Sequence, residues 1–181
     1  MGIKMTLSNY FLDLLHRYIS EIDDLRFDTD GQDVLHARLR EKRDHFAVLL
    51  RLKHESPELL LPAFHGAFNV SNNTLVDLIS TLTPADPGFS PWDELMQSVV
   101  IHDWAKPLAH SLLQSADGDK FLITAIVLNH LYQKGTDVNR AQAESQEPRE
   151  DAEPAEDDEP KVLDSSGDAW LHDHGFDPLD R

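Results

Sequence analysis

Near residue 140 the chain changes from one kind of polymer to another, and that boundary limits what can fold. Up to Arg140 it carries 19 acidic and 13 basic residues; from Ala141 to Arg181 it carries 14 and 3. Before the boundary, apolar side chains recur at steps of three and four. After it, residues 141–161 are almost wholly Ala, Glu, Gln, Asp and Pro. Such a stretch cannot offset its ordering entropy by burying apolar surface and is predicted to be disordered. The sequence therefore divides into an all-helical domain over residues 1–138, a disordered acidic linker over 139–161 and a short C-terminal interaction segment over 162–181. The last segment sets Trp170, Leu171, Phe176 and Leu179 among acids. A purely solubilising tail has no need of large apolar groups, so these four are the candidate contacts for a protein partner.

Composition narrows the function classes. The formal net charge is −17 over 181 residues, and there is no Cys. A disulfide framework, a thiolate metal site and a thiol nucleophile are excluded. Direct binding to duplex nucleic acid needs phosphate neutralisation by Lys and Arg, which this balance opposes. No run approaches the ~18–20 apolar residues that span a bilayer, and the start lacks a secretory signal. Met1-Gly2-Ile3-Lys4-Met5-Thr6 fits the short myristoylation pattern, but no basic cluster accompanies it. A soluble cytoplasmic protein, away from membranes, is the expectation.

Periodicity predicts helices throughout the first 135 residues. Ser8 caps a helix from Asn9 to about Asp24, with Tyr10, Phe11, Leu14, Leu15, Tyr18, Ile19 and Ile22 on its inner face. After the turn Asp28-Thr29-Asp30-Gly31, a second helix runs from about Gln32 to His54. Ser56-Pro57-Glu58 opens a short helix, and Ser71-Asn72-Asn73 caps another over Thr74–Leu82. Ser90-Pro91-Trp92-Asp93-Glu94 starts a helix expected to run into His102-Asp103 and to stop before Pro107. Leu108–Ser115 is one more segment; Lys120–Gln133 is the last, stopped by Gly135. No period-2 alternation indicates a strand. The predicted class is all-α, a compact helical bundle followed by a disordered acidic tail.

Chemistry concentrates at Val99-Val100-Ile101-His102-Asp103-Trp104-Ala105-Lys106-Pro107. Neighbouring helical side chains point about 100° apart, so His102 and Asp103 reach a shared ion only if it sits beside the helix. Imidazole and carboxylate together suit a borderline-hard divalent cation. The hexapeptide from His102 to Pro107 resembles the signature of the HD superfamily of metal-dependent phosphohydrolases. The resemblance covers about residues 60–135. It implies an all-helical bundle in which an upstream His, the His-Asp dyad and a later Asp hold a divalent metal ion. On that likeness His65, in Phe64-His65-Gly66-Ala67-Phe68, is the first ligand, and His102 and Asp103 follow. Asp137 is the nearest acid for the final place, although it lies past Gly135. Lys106 would then meet a phosphate oxygen, and His130 would donate a proton to the leaving group.

A second constellation is basic. His36, Arg40 and Arg43 form one stripe of the second helix, at steps of four and three. Such a stripe is either a solvated face or a dock for acid, and the nearest acid is the chain's own tail. Two functions stand side by side. One is an HD-like metal-dependent phosphohydrolase acting on a nucleotide or other phosphoester. The other is a non-catalytic helical adaptor, inhibitor or regulator working through the acidic tail and the Trp/Phe segment.

Overall fold

The computed structural model describes residues 6–89 and 92–144, with side chains to residue 136, all within the unit Met1–Gln146. The expected linker from residue 145 on, and Trp170, Leu171, Phe176 and Leu179, lie outside the described residues, as does the Asp137 side chain.

The fold is all-α in class, built around one helix that is buried on every side over part of its length. Helix α8 (Gly118–Glu144) holds nine consecutive buried residues, Leu122 to His130. A helix so buried must be wrapped by others. Helix α1 (Asn9–Arg26) packs Phe11, Leu14, Tyr18 and Ile22 inward, and Ser8 caps it by accepting a hydrogen bond from the Phe11 amide. α2 (Leu35–Asp44), α3 (Phe46–Leu49) and α4 (Pro57–Leu60) follow, then a 3-10 turn over Leu61–Phe64. β1 (Phe68–Val70), α5 (Asn73–Ile79), α6 (Trp92–Ser98), β2 (Val99–Ile101) and α7 (Lys106–Leu113) complete the order. The shared core runs through Phe11, Tyr18, Leu39, Phe64, Phe68 and Ile126, all nearly or wholly inaccessible.

Four sequence expectations need correction. The single helix expected over Gln32–His54 is broken at His45. There the His45 amide still donates to the Glu41 carbonyl at 3.1 Å, and the imidazole Nδ1 donates to the same oxygen at 2.9 Å, capping the end of α2. The run into the dyad is not helical either: α6 ends at Ser98, and Val99-Val100-Ile101 forms β2. It pairs antiparallel with β1, Phe68 opposite Ile101 and Val70 opposite Val99. Three β-branched residues in succession favour the strand. Pro107 starts a helix instead of stopping one, because in the first turn of α7 its missing N–H has no partner to lose. Lastly, Gly135 does not stop α8, which runs on to Glu144. A solvated glycine costs a helix only about 1 kcal/mol, which the nine buried residues upstream outweigh.

Where α7 turns into α8 the backbones nearly touch. A Cβ on Gly118 would lie 1.9 Å from the Leu112 carbonyl oxygen, so only glycine fits that corner.

Candidate functional site

The loop that carries His65 is fixed from both sides. The 3-10 turn ahead of it ends with the His65 amide donating to the Pro62 carbonyl at 2.9 Å. Gly66 then takes φ +71°, a left-handed conformation that glycine adopts without strain. Its amide donates to Asn129 Oδ1 at 2.7 Å, and the same buried amide side chain donates to the Ala125 carbonyl. Two residues on, the Ala67 carbonyl accepts from the His102 amide at 2.9 Å, extending the β1–β2 ladder. His65 and the dyad therefore sit on adjoining backbone.

The His65 side chain faces aromatic rings and cations. Tyr18 Oη lies 2.6 Å from Nδ1. Tyr18 is wholly buried, and this nitrogen is its hydroxyl's partner among the described residues. The phenol therefore donates, and the imidazole keeps its hydrogen on Nε2. Tyr132 meets the imidazole edge to face at 5.0 Å, and its hydroxyl accepts from Arg26 at 3.0 Å. Burial, and then the charges of Arg26, Arg43 and His36, push the His65 pKa down to about 4. Burial also keeps the Tyr18 hydroxyl protonated. At neutral pH the centre is an uncharged imidazole near the Arg26 and Arg43 guanidiniums.

Arg43 ties this centre to the dyad loop. Its Nε donates to the Ala63 carbonyl at 3.0 Å and its Nη2 to the His65 carbonyl at 3.1 Å. The guanidinium lies 3.9 Å from the Trp104 ring centroid, a cation–π contact with a residue 42% exposed. None of these partners is a carboxylate, and neither Arg40 nor His36, both exposed on the same helix, makes an ion pair among the described residues. Arg26 has one distant acid, Asp33 at 3.8 Å. A chain with 33 acidic side chains thus gathers cations beside an exposed Trp and leaves most of them without a counter-charge.

The other residues singled out by sequence lie elsewhere. Asp103 is 94% exposed and takes a 2.5 Å salt bridge from Lys106, whose hydrogen bond and charge hold its carboxyl below the usual range. Lys106, expected to meet phosphate, is thus occupied by its neighbour. His102 is half-buried, and its backbone precedes the 3-10 turn over Asp103–Ala105. His130 turns away to α5, its Nε2 3.0 Å from Asp77 Oδ1, while Lys134 holds both oxygens of that carboxylate. Asn129 and His130 differ by about 100° around α8, so one serves the His65 loop and the other faces Asp77. Burial raises the Asp77 pKa, but the hydrogen bonds and charges of Lys134 and His130 outweigh it and hold the carboxyl low.

Among the described residues no three His, Asp or Glu side chains converge on one point. The cations that surround His65 would repel a second positive charge. The Arg26 and Arg43 guanidiniums give the surroundings of His65 a positive local charge.

Sequence reading missed Tyr18, Arg26, Tyr132, Asn129 and Trp104 as parts of one site. The one available signal was the His36, Arg40, Arg43 stripe. Comparison with protein-family models, curated proteins and solved structures gives no match. No helix among the described residues is long and apolar enough to cross a membrane.

Proposed function

We propose that the chain is a non-catalytic binding module whose basic and aromatic face holds acidic segments of a partner protein. One observation carries the reading: Arg43, stacked on the exposed Trp104 and flanked by Arg40 and His36, has no carboxylate partner among the described residues. Backbone carbonyls take Nε and Nη2 of Arg43, so a carboxylate would meet its remaining Nη donors, and the exposed ring beside it supplies apolar contact area. Salt bridges at such a face are individually weak, so affinity must come from several contacts at once and must fall with ionic strength.

The test is titration of the full chain with a labelled acidic peptide, followed by fluorescence anisotropy at low and high salt. Arg40→Glu reverses an exposed charge that makes no ion pair among the described residues, so the fold should survive. It should weaken binding about tenfold or more, the factor that corresponds to about 1.4 kcal/mol. Unchanged affinity in that variant, or binding indifferent to salt, refutes the reading.

The HD-like phosphohydrolase is the second reading, supported by the strand register that sets the His102 amide on the Ala67 carbonyl, two residues from His65. Metal analysis of purified protein decides it. A stoichiometric divalent ion lost to chelator together with phosphoesterase activity supports the enzyme; protein that binds no added divalent ion rejects it.

A further inference from the structure

A separate cleft opens on residues that the His65 centre does not use. It encloses about 430 Å³ between α1, the stretch from Lys53 to Pro57, the Pro84-Ala85 loop and the first two turns of α8. That volume falls within the range of small-molecule sites. We propose that this cleft binds a small organic anion, with the charged head at Lys53 and Lys120 and an apolar body against Pro57, Pro84 and Phe121.

Lys53 is the first warrant. It is 5% exposed, and its Nζ donates to Ser115 Oγ at 2.7 Å and to the Ala116 carbonyl. Both acceptors are neutral. A buried ammonium is costly unless a counter-charge or a full set of hydrogen bonds compensates it, and an ammonium has three donors for these two oxygens. Lys53 lines the cleft, and these two oxygens are the acceptors for its Nζ among the described residues.

The second warrant is the company it keeps. Lys120 and His54 line the same cleft, and the Lys120 ammonium makes no ion pair or hydrogen bond among the described residues. Asp117 is the acid on the lining, at φ 54°, an uncommon backbone for a residue other than glycine. α8 begins beside it at Gly118, so the positive end of the longest helix adds to the same field. In a chain of net charge −17, this is a cationic recess.

The third warrant is shape and polarity. Pro57, Pro84, Ala85 and Phe121 supply apolar lining, and Tyr10 and Thr124, whose hydroxyl oxygens lie 3.2 Å apart, line the cleft too. A bare inorganic anion would leave that lining wet. A ring or short chain behind the charged head would cover it and add the burial that small ligands depend on.

A purely structural Lys53, latching its turn to the α7–α8 corner, predicts none of this, and the two are separable. The full chain is titrated calorimetrically with 2-naphthoate, with its neutral analogue 2-naphthamide and with inorganic phosphate. Naphthoate should bind at least about tenfold tighter than either, the loss expected when a charge-assisted contact or the apolar body is removed. Lys120→Met should weaken naphthoate by a similar factor while leaving the melting temperature in place. Arg40→Glu should leave it unchanged, which separates this cleft from the acidic-peptide face. Lys53→Met should abolish binding; if that variant does not fold, Lys120→Met decides alone. Equal binding of naphthoate and naphthamide, indifference to Lys120→Met, or no naphthoate binding overturns the proposal. 2-Naphthyl phosphate binding tighter than naphthoate supports it and identifies the preferred head as phosphate.

Discussion

His65 shows how surroundings, and not residue type alone, set what a side chain can do. Its folded pKa is about 4 against an ordinary 6.5, because burial and nearby cations disfavour the imidazolium. The unfolded chain takes up that proton first. Between about pH 6.5 and 4 the unfolded state therefore binds more protons, and stability falls as the pH falls. His65→Gln removes the titration while keeping an acceptor for the Tyr18 hydroxyl. Urea unfolding should show the wild type losing more stability across that window than the variant; parallel losses would contradict the depressed imidazole. Asp77, also held low, adds its own loss only below the ordinary carboxylate range. Sequence inspection singled out His65, but not its setting. Its hydroxyl partner is Tyr18, 47 positions earlier, and no local pattern joins residues so far apart. Arg43 was visible as a member of a stripe, yet its role depends on α2 packing against the Leu61–Phe64 turn, which only the fold provides.

At the scale of elements, the helices whose apolar residues fall on one face were legible, and the short or locally contested ones were not. α1 was readable because Phe11, Leu14, Tyr18 and Ile22 repeat over about three turns and Ser8 marks the start. β2 was not, since three residues are too few to show alternation and Val99 continues the apolar pattern of α6. Its pairing with β1 is a tertiary event. The end of α8 was misplaced for a different reason: glycine is a common stop signal, but burial upstream outvoted it. Gly135 has no atom within 4 Å of a Cβ position and no positive φ. Gly135→Ala should therefore stabilise the protein by about 1 kcal/mol. In a scanning calorimeter that corresponds to a rise of about 2–4 °C. A lower melting temperature would mean that the helix does not continue past that point.

Across the whole molecule, charge is distributed against itself. The net charge is −17, and 14 of the 33 acids follow Arg140, while the α2 stripe and the Lys53 cleft concentrate cations. On the proposed reading the acids after Arg140 are candidate competitors for an added acidic peptide, because joining two groups in one chain raises their effective concentration. Replacing the Asp and Glu residues from Glu144 to Glu159 with Asn and Gln should raise the affinity for that peptide severalfold at low salt, with the difference fading as salt rises. Anisotropy titration of both full-length chains measures this. Equal affinities would show that the tail and the peptide do not share a face.

The position of α8 in the chain also bears on how the protein is made. Synthesis runs from the N-terminus, so α1 to α7 emerge before the helix that buries their apolar faces. Phe11, Tyr18, Phe64 and Phe68 lack their final apolar cover during that interval. A ribosome that stalls before Leu122 leaves a set of helices with nothing to close around, and such a product belongs to quality control rather than to the folded pool.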